Sequence, residues 1–278
     1  MSVRRVLDAL IAPAVFGIGF LLVWEFAVQA FDLKPYFLPA PSAISEAFFA
    51  NFSLIKDAAF VSGKNALVGL IAGTLLGVGM AFLLMRFRIL NELATPMAVA
   101  LNAIPIIVLV SLFINMYPAT SEMPRRLMVT LIVFFIVLVN VAKGLRQVST
   151  THMELMRSYA ASPTEILAKV RIPNAIPFLF TALKIAAPVA VITAFVAEYF
   201  GGSQNGLGYG ITSNAATSKT AASWAYVVGA CALGLAFYLI AVALERVASP
   251  ARAGSPHRHP HQSNQPQARG LTPGGATA

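Results

Sequence analysis

Six apolar stretches, each close to twenty residues long, constrain this chain more than any other feature. They lie near residues 9–31, 63–85, 93–116, 126–145, 175–199 and 222–246. A helix needs about 20 apolar residues to cross a hydrocarbon core of about 30 Å. In lipid every backbone polar group has to be satisfied within the segment, so each stretch is expected to be helical. The predicted fold class is all-α: a polytopic membrane protein with about six transmembrane helices, dissolved in a lipid bilayer. With 58% hydrophobic and 11% charged residues, the chain falls well outside the balance of a soluble domain. The first stretch follows Arg4 and Arg5, but it exceeds the roughly 7–15 apolar residues of a secretory signal and is read as a retained helix.

Lys and Arg in short loops stay on the cytoplasmic side. With the N-terminus inside, thirteen basic residues fall on that side and six outside, with Lys184 within a stretch. The net charge of +9 is then mostly topology, and no nucleic-acid partner is expected. Arg125 and Arg126 dissent, since both fall at an outer helix end. Cys231 is the only cysteine, so a disulfide within the chain and cysteine-based metal sites are excluded.

Residues 1–248 are read as the transmembrane domain, and 249–278 as a Pro-, His- and Gly-rich cytoplasmic tail expected to be disordered. His257, His259 and His261 in that tail are read as solvated, with no metal site. Between the first two stretches, residues 32–62 are expected to form a long outer segment, in which "YFLPAPSAISEAFFANF", residues 36–52, lies along the membrane surface with Ser42 capping a short amphipathic turn. Gly69, Gly73 and Gly77 form a four-residue ladder that would let another helix approach closely.

Asn102 and Asn140 stand within the third and fourth stretches, and Pro105 should kink the third. Interhelical hydrogen bonding and lining of a solute route both fit these residues. Glu198, near the outer end of the fifth stretch, joins Asn102, Pro105 and Asn140 as a candidate pathway residue. Glu25, Lys184 and Glu198 each need a partner or water, which the sequence does not identify.

The longest polar interruption is "ELMRSYAASPTEILAKVRIPNAIP", Glu154 to Pro177, on the cytoplasmic side. Thr151 with Glu154, and Ser162 with Glu165, each fit the S/T-x-x-E capping box. Two short helices are expected with a bend at Ser162–Pro163, the second carrying an apolar stripe of Ile166, Leu167 and Val170. Ala160, Ala161 and Ser162 leave the bend almost without bulk. Physics alone allows two uses: insertion into a groove on another protein, or rest on the bilayer surface.

The stretch resembles the Glu-Ala-Ala loop of ABC importer permeases, whose pattern is EAA, three residues, G, nine residues, I, one residue, LP. Glu154 begins it, Ala160 stands at the Gly, Val170 at the Ile, and Ile172–Pro173 at the Leu-Pro. Leu155 and Met156 replace the two alanines, and Ala160 replaces a glycine that a positive-φ turn would favour. "FLPAPSAI" and "VAEYFGGSQNGLGYGI" are similar to elements of the sulfonate, taurine and nitrate branch, which also includes pyrimidine-precursor and riboflavin importers. The run Gly206–Gly210 is read as outer-face turn structure.

The resemblance implies a coupling loop over 151–173 that docks on a separate ATPase subunit through Glu154, Tyr159, Ala160, Ala161, Ser162, Pro163, Ile166, Leu167, Val170 and Pro173. It also implies a second copy of the chain, an extracytoplasmic solute-binding protein, and a bacterial cytoplasmic (inner) membrane location with both termini cytoplasmic. The implied solute is small and organic, such as a sulfonate- or taurine-like anion or a pyrimidine or vitamin precursor. No GxxxxGK[ST] occurs, so ATP and Mg would belong to the partner subunit, with no cofactor in this chain. The competing class is an ATPase-independent secondary transporter or channel, although the inverted repeats common there are not apparent. An enzyme lacks its constellation: the stretches hold no histidine, and His152 is the only one outside the tail.

Overall fold

The computed structural model describes residues 3–86 and 106–248. The expectations for Asn102, Pro105 and the tail fall outside these residues.

The described residues are helical, with short connections. α1 (Val3–Ala30) is followed by α2 (Pro41–Ala50) and α3 (Phe52–Arg86). α4 (Ile106–Met116) is the described part of the third apolar stretch, and α5 is Met123–Arg146. α6 (Thr150–Ser158) precedes α7 (Pro163–Ile166), which runs through a π-helical turn, Leu167–Arg171, into α8 (Ile172–Tyr199). α9 (Gly206–Ala216) and α10 (Thr220–Ala248) complete the fold. Five of the described helices are long and apolar enough to cross a membrane: Ile11–Ala30, Phe52–Arg86, Met123–Arg146, Pro163–Tyr199 and Thr220–Ala248.

α3 is longer than the apolar pattern indicated. Residues 52–62, expected in the segment between the first two stretches, form its first turns. α2 is present, but its N-cap is Ala40 with Pro41 in the first turn, not Ser42. Ser42 instead donates its N–H and hydroxyl to the Glu25 carboxylate, at 3.0 and 2.8 Å. Glu25 thus finds its partner at the positive end of a neighbouring helix.

α5 is the central element. On one side the glycine ladder of α3 meets a valine ladder: Gly69 faces Val129, Gly73 faces Val133 and Gly77 faces Val137. Both series ascend together, so α3 and α5 run parallel. On the other side the start of α8 lies against the end of α5, where Asn174 Nδ2 donates to the Gly144 carbonyl at 2.7 Å. These two helices are therefore antiparallel. Ala182, Ala186, Ala190 and Ala194 of α8, all fully buried, join the same core as the valines. Lipid tails are as apolar as the helices, so such backbone-close packing, rather than water exclusion, holds the bundle together. Lys184 of α8 pairs with Glu245 of α10 at 2.8 Å, and Trp24 of α1 meets Trp224 edge to face at 5.5 Å.

Candidate functional site: a polar corner and a buried polar cluster

The polar interruption forms a corner between α5 and α8. α6 is capped by Ser149, whose hydroxyl accepts the His152 N–H at 3.3 Å. The expected cap, Thr151, lies inside the helix, and Glu154 is exposed on its surface. At the far end the Ala160 N–H donates to the Arg157 carbonyl at 2.9 Å and the Ala161 N–H to the Met156 carbonyl at 3.0 Å. This pairing is the Schellman closure, which requires a left-handed residue between cap and continuation. Ala160 supplies it at φ 49°, so alanine adopts the conformation that glycine would hold at lower cost.

The second capping box forms as expected. Ser162 N–H donates to Glu165 Oε2 at 2.9 Å, and Glu165 N–H donates to Ser162 Oγ at 3.3 Å. Lys169 pairs with Glu165 at 3.3 Å. Ile166, Leu167, Val170 and Pro173 are half-buried along the helix that enters the bundle, while Pro163 is exposed and Ala161 partly covered. Leu155 and Tyr159, four residues apart on α6, are 51% and 76% exposed. The corner thus presents an apolar pair beside a compact bend.

At the opposite end of the bundle lies a polar cluster. Arg125, 1% exposed, donates to Glu122 Oε2 at 2.7 Å and to Asn205 Oδ1 at 2.5 Å. It also donates to the Ser203 carbonyl, and its Nη1 lies 3.8 Å from Glu198 Oε1. Arg126 Nε donates to Asn65 Oδ1 at 2.9 Å, and Asn65 Nδ2 to Glu122 Oε2 at 2.7 Å. Partial burial pushes the Glu122 carboxyl up, but the donors Asn205, Arg125, Asn65 and Ser203 outweigh it and hold it below the usual carboxylate range.

Glu198, 2% exposed, accepts from Ser62 Oγ at 2.6 Å and from the Gly208 N–H at 3.0 Å. Ser62 Oγ in turn accepts the Leu207 N–H at 2.9 Å. The first turn of α9 is therefore capped by side chains from α8 and α3, while its own N-cap, Asn205, serves Arg125 and Glu122. Gly206–Gly210 opens a helix and is not the turn that was expected. Its glycines are spacers: a Cβ on Gly206 would stand 2.5 Å from the Glu198 carboxylate, and one on Gly210 would enter the Tyr226 ring.

A family model described as "Binding-protein-dependent transport system inner membrane component" matches residues 73–251. The chain belongs to this family. A "Probable ABC transporter permease protein" of Haemophilus influenzae is 30% identical over 68% of this chain and 76% of its own. The formylaminopyrimidine transport permease protein ThiX of Halalkalibacterium halodurans is 28% identical over 71% of this chain and 78% of its own. The bicarbonate transport system permease protein CmpB of a Synechocystis species is 24% identical over 72% and 75%. A chain of the MetNI methionine ABC transporter, solved in inward-facing conformations, superposes with TM-score 0.55 at 19% identity, covering 69% of this chain and 97% of that one. That last likeness is one of fold.

This chain is thus an ABC importer permease subunit, a multi-pass inner-membrane component. Among the candidate pathway residues of the permease, Asn140 is half-buried and donates to its own helix at the Ile136 carbonyl, 2.8 Å away. Glu198 stands inside the buried polar cluster. Sequence reasoning missed Ser62, Asn65, Glu122, Ser203 and Asn205 as a group. The available signals were the dissent of Arg125 and Arg126 from the charge rule and the need of Glu198 for a partner.

Proposed function

We propose that the permease forms the solute pathway of an ATP-driven importer as a homodimer, and that the corner from Ser149 to Arg171 docks on a separate ATPase subunit. The observation that carries this reading is the exposed corner itself. Two independently capped helices meet at a bend of small residues, with Leu155 and Tyr159 projecting beside it. Such a unit can shift as a rigid body between two positions, which coupling requires. On this reading ATP and Mg are bound by the partner, and closure of the ATPase pair reorients the permease to accept solute from an extracytoplasmic binding protein.

The orientation follows from where the charges fall. Arg86, Lys143, Arg146, Lys169, Arg171 and Arg246 lie at helix ends on the same side as the corner. On this reading that side is cytoplasmic and both termini lie there, which its positive charge supports. Arg125 and Arg126 do not oppose it, because Glu122, Glu198 and Asn65 hold them in the outer cluster. The groove of about 450 Å³ between α3, α8 and α10 is lined by Leu67, Leu70, Leu183, Phe237 and other apolar side chains. It suits lipid tails better than a polar solute, which favours a route between two copies. The solute is small and organic on this reading, a sulfonate- or taurine-like anion or a pyrimidine or vitamin precursor, and the formylaminopyrimidine in the name of ThiX supports the pyrimidine precursor.

The reading is tested by purifying the chain from its native membrane in mild detergent and identifying its companions by mass spectrometry. An ABC-type ATPase is the expected companion. Flux through the purified chain alone in liposomes, with no ATPase retained, would contradict the reading.

A further inference from the structure

α5 and α8 form an antiparallel hairpin whose connector is the corner itself, and the hairpin is fastened at both ends. At the inner end Asn174 Nδ2 donates to the carbonyls of Gly144 and Gln147, at 2.7 and 3.1 Å. The fit there is tight: a Cβ on Gly144 would stand 2.8 Å from the Phe178 ring. At the outer end Arg125 of α5 faces Glu198 of α8 at 3.8 Å, both almost fully buried. Between these points α8 is continuously helical from Asn174 to Glu198, which is about 36 Å at the ordinary helical rise.

The outer fastening reaches further than the hairpin. Arg125 also grips the connector between α8 and α9 through Ser203 and Asn205, and Glu198 caps α9 at Gly208. Arg125 Nε and Glu198 Oε1 make no hydrogen bond, so the pair itself is held by charge across 3.8 Å, while the other polar atoms of the two side chains are fixed by Ser62, Glu122, Ser203, Asn205 and Gly208. A displacement of the corner therefore reaches residues 200–208 only if both fastenings hold.

We propose that the α5–α8 hairpin is a lever bolted at its two ends, and that Asn174 and the Arg125–Glu198 pair are positioning residues that make the outer face follow the corner. The proposal rests on the functional reading above. It adds the residues through which the two faces of the membrane communicate, carried by one two-position element.

Hydrogen exchange on the purified permease–ATPase complex in lipid nanodiscs tests it, with and without a non-hydrolysable ATP analogue and Mg. In the unaltered complex, nucleotide should change exchange both at 149–171 and at 200–219. In Asn174→Ala combined with Glu198→Gln, the change at 149–171 should remain and that at 200–219 should be lost. Glu245→Gln removes the Lys184–Glu245 pair, which ties α8 to α10 away from both fastenings, and should leave both responses in place. Retention of the outer response in the double variant overturns the proposal. Loss of both responses there, or an equal loss in Glu245→Gln, also overturns it, because general loosening then accounts for the effect. If the unaltered complex shows no nucleotide response at 149–171, the functional reading fails and takes the lever with it.

Discussion

Val133 of α5 seats directly on Gly73 of α3, so closely that a Cβ on Gly73 would stand 2.7 Å from the Val133 Cβ and 2.7 Å from the Thr130 carbonyl oxygen. Gly73→Ala should therefore destabilise the bundle by about 1–3 kcal/mol, the usual cost of overpacking. The contacts are a Cβ and a backbone oxygen, so trimming the neighbour with Val133→Ala should not restore stability. Thermal melting of the single and double variants in detergent checks both expectations.

At the corner, Ala160 holds φ 49° to close the Schellman motif. Ala160→Gly should relieve about 1 kcal/mol of left-handed strain. Ala160→Val should loosen the closure, because a β-branched residue is worse there than alanine. Exchange rates of the Ala160 and Ala161 amides report the outcome: slower in the glycine variant and faster in the valine variant.

The caps separate residues that look equivalent in sequence. Ser149→Ala and Ser162→Ala should each cost about 0.5–2 kcal/mol of local helix stability. Glu154→Ala should leave both caps intact, since Ser149 caps the first helix and Glu165 closes the second box. Peptide-resolved hydrogen exchange over residues 149–171 distinguishes the three variants.

The capping result also shows how far local pattern reaches. Apolar length and charge placement were enough for five of the membrane helices. The glycine ladder and the Ser162–Glu165 box were equally readable, because each depends on residues within one or two turns. Three consecutive hydroxyl residues, Ser149, Thr150 and Thr151, offered alternative starts, and the S/T-x-x-E pattern favoured the wrong one. The outer cluster was out of reach for a different reason. Ser62 and Leu207 are 145 positions apart, and Arg125 and Asn205 are 80 apart, so nothing in either neighbourhood announces the other. Arg125 and Arg126 dissenting from the charge rule, and Glu198 in need of a partner, were its traces.

Glu122 gives the outer cluster a pH signature. Its folded pKa is lowered, so the unfolded chain binds more protons and stability rises with pH through the carboxylate range. The stabilisation should be complete above the ordinary carboxylate value and disappear as pH falls through the depressed folded value. Glu122→Gln should accordingly cost about 1–3 kcal/mol near neutral pH, by leaving buried donors unmatched. The gap between the two proteins should narrow steadily on acidification. Parallel melting curves over that range, with a gap that does not change, would count against the ionised Glu122 as the hub.

The most direct measurement of the central claim is the amount of ABC-type ATPase retained per permease when the chain is purified in mild detergent, compared between the unaltered protein and Ala161→Trp. The bend at Ala160–Ser162 has little bulk, and an indole there should block docking without disturbing the membrane helices. The expected result is ATPase bound to the unaltered chain and lost from Ala161→Trp, with both inserted in the membrane equally well. Equal retention of the ATPase by Ala161→Trp would show that the corner is not where the two subunits meet.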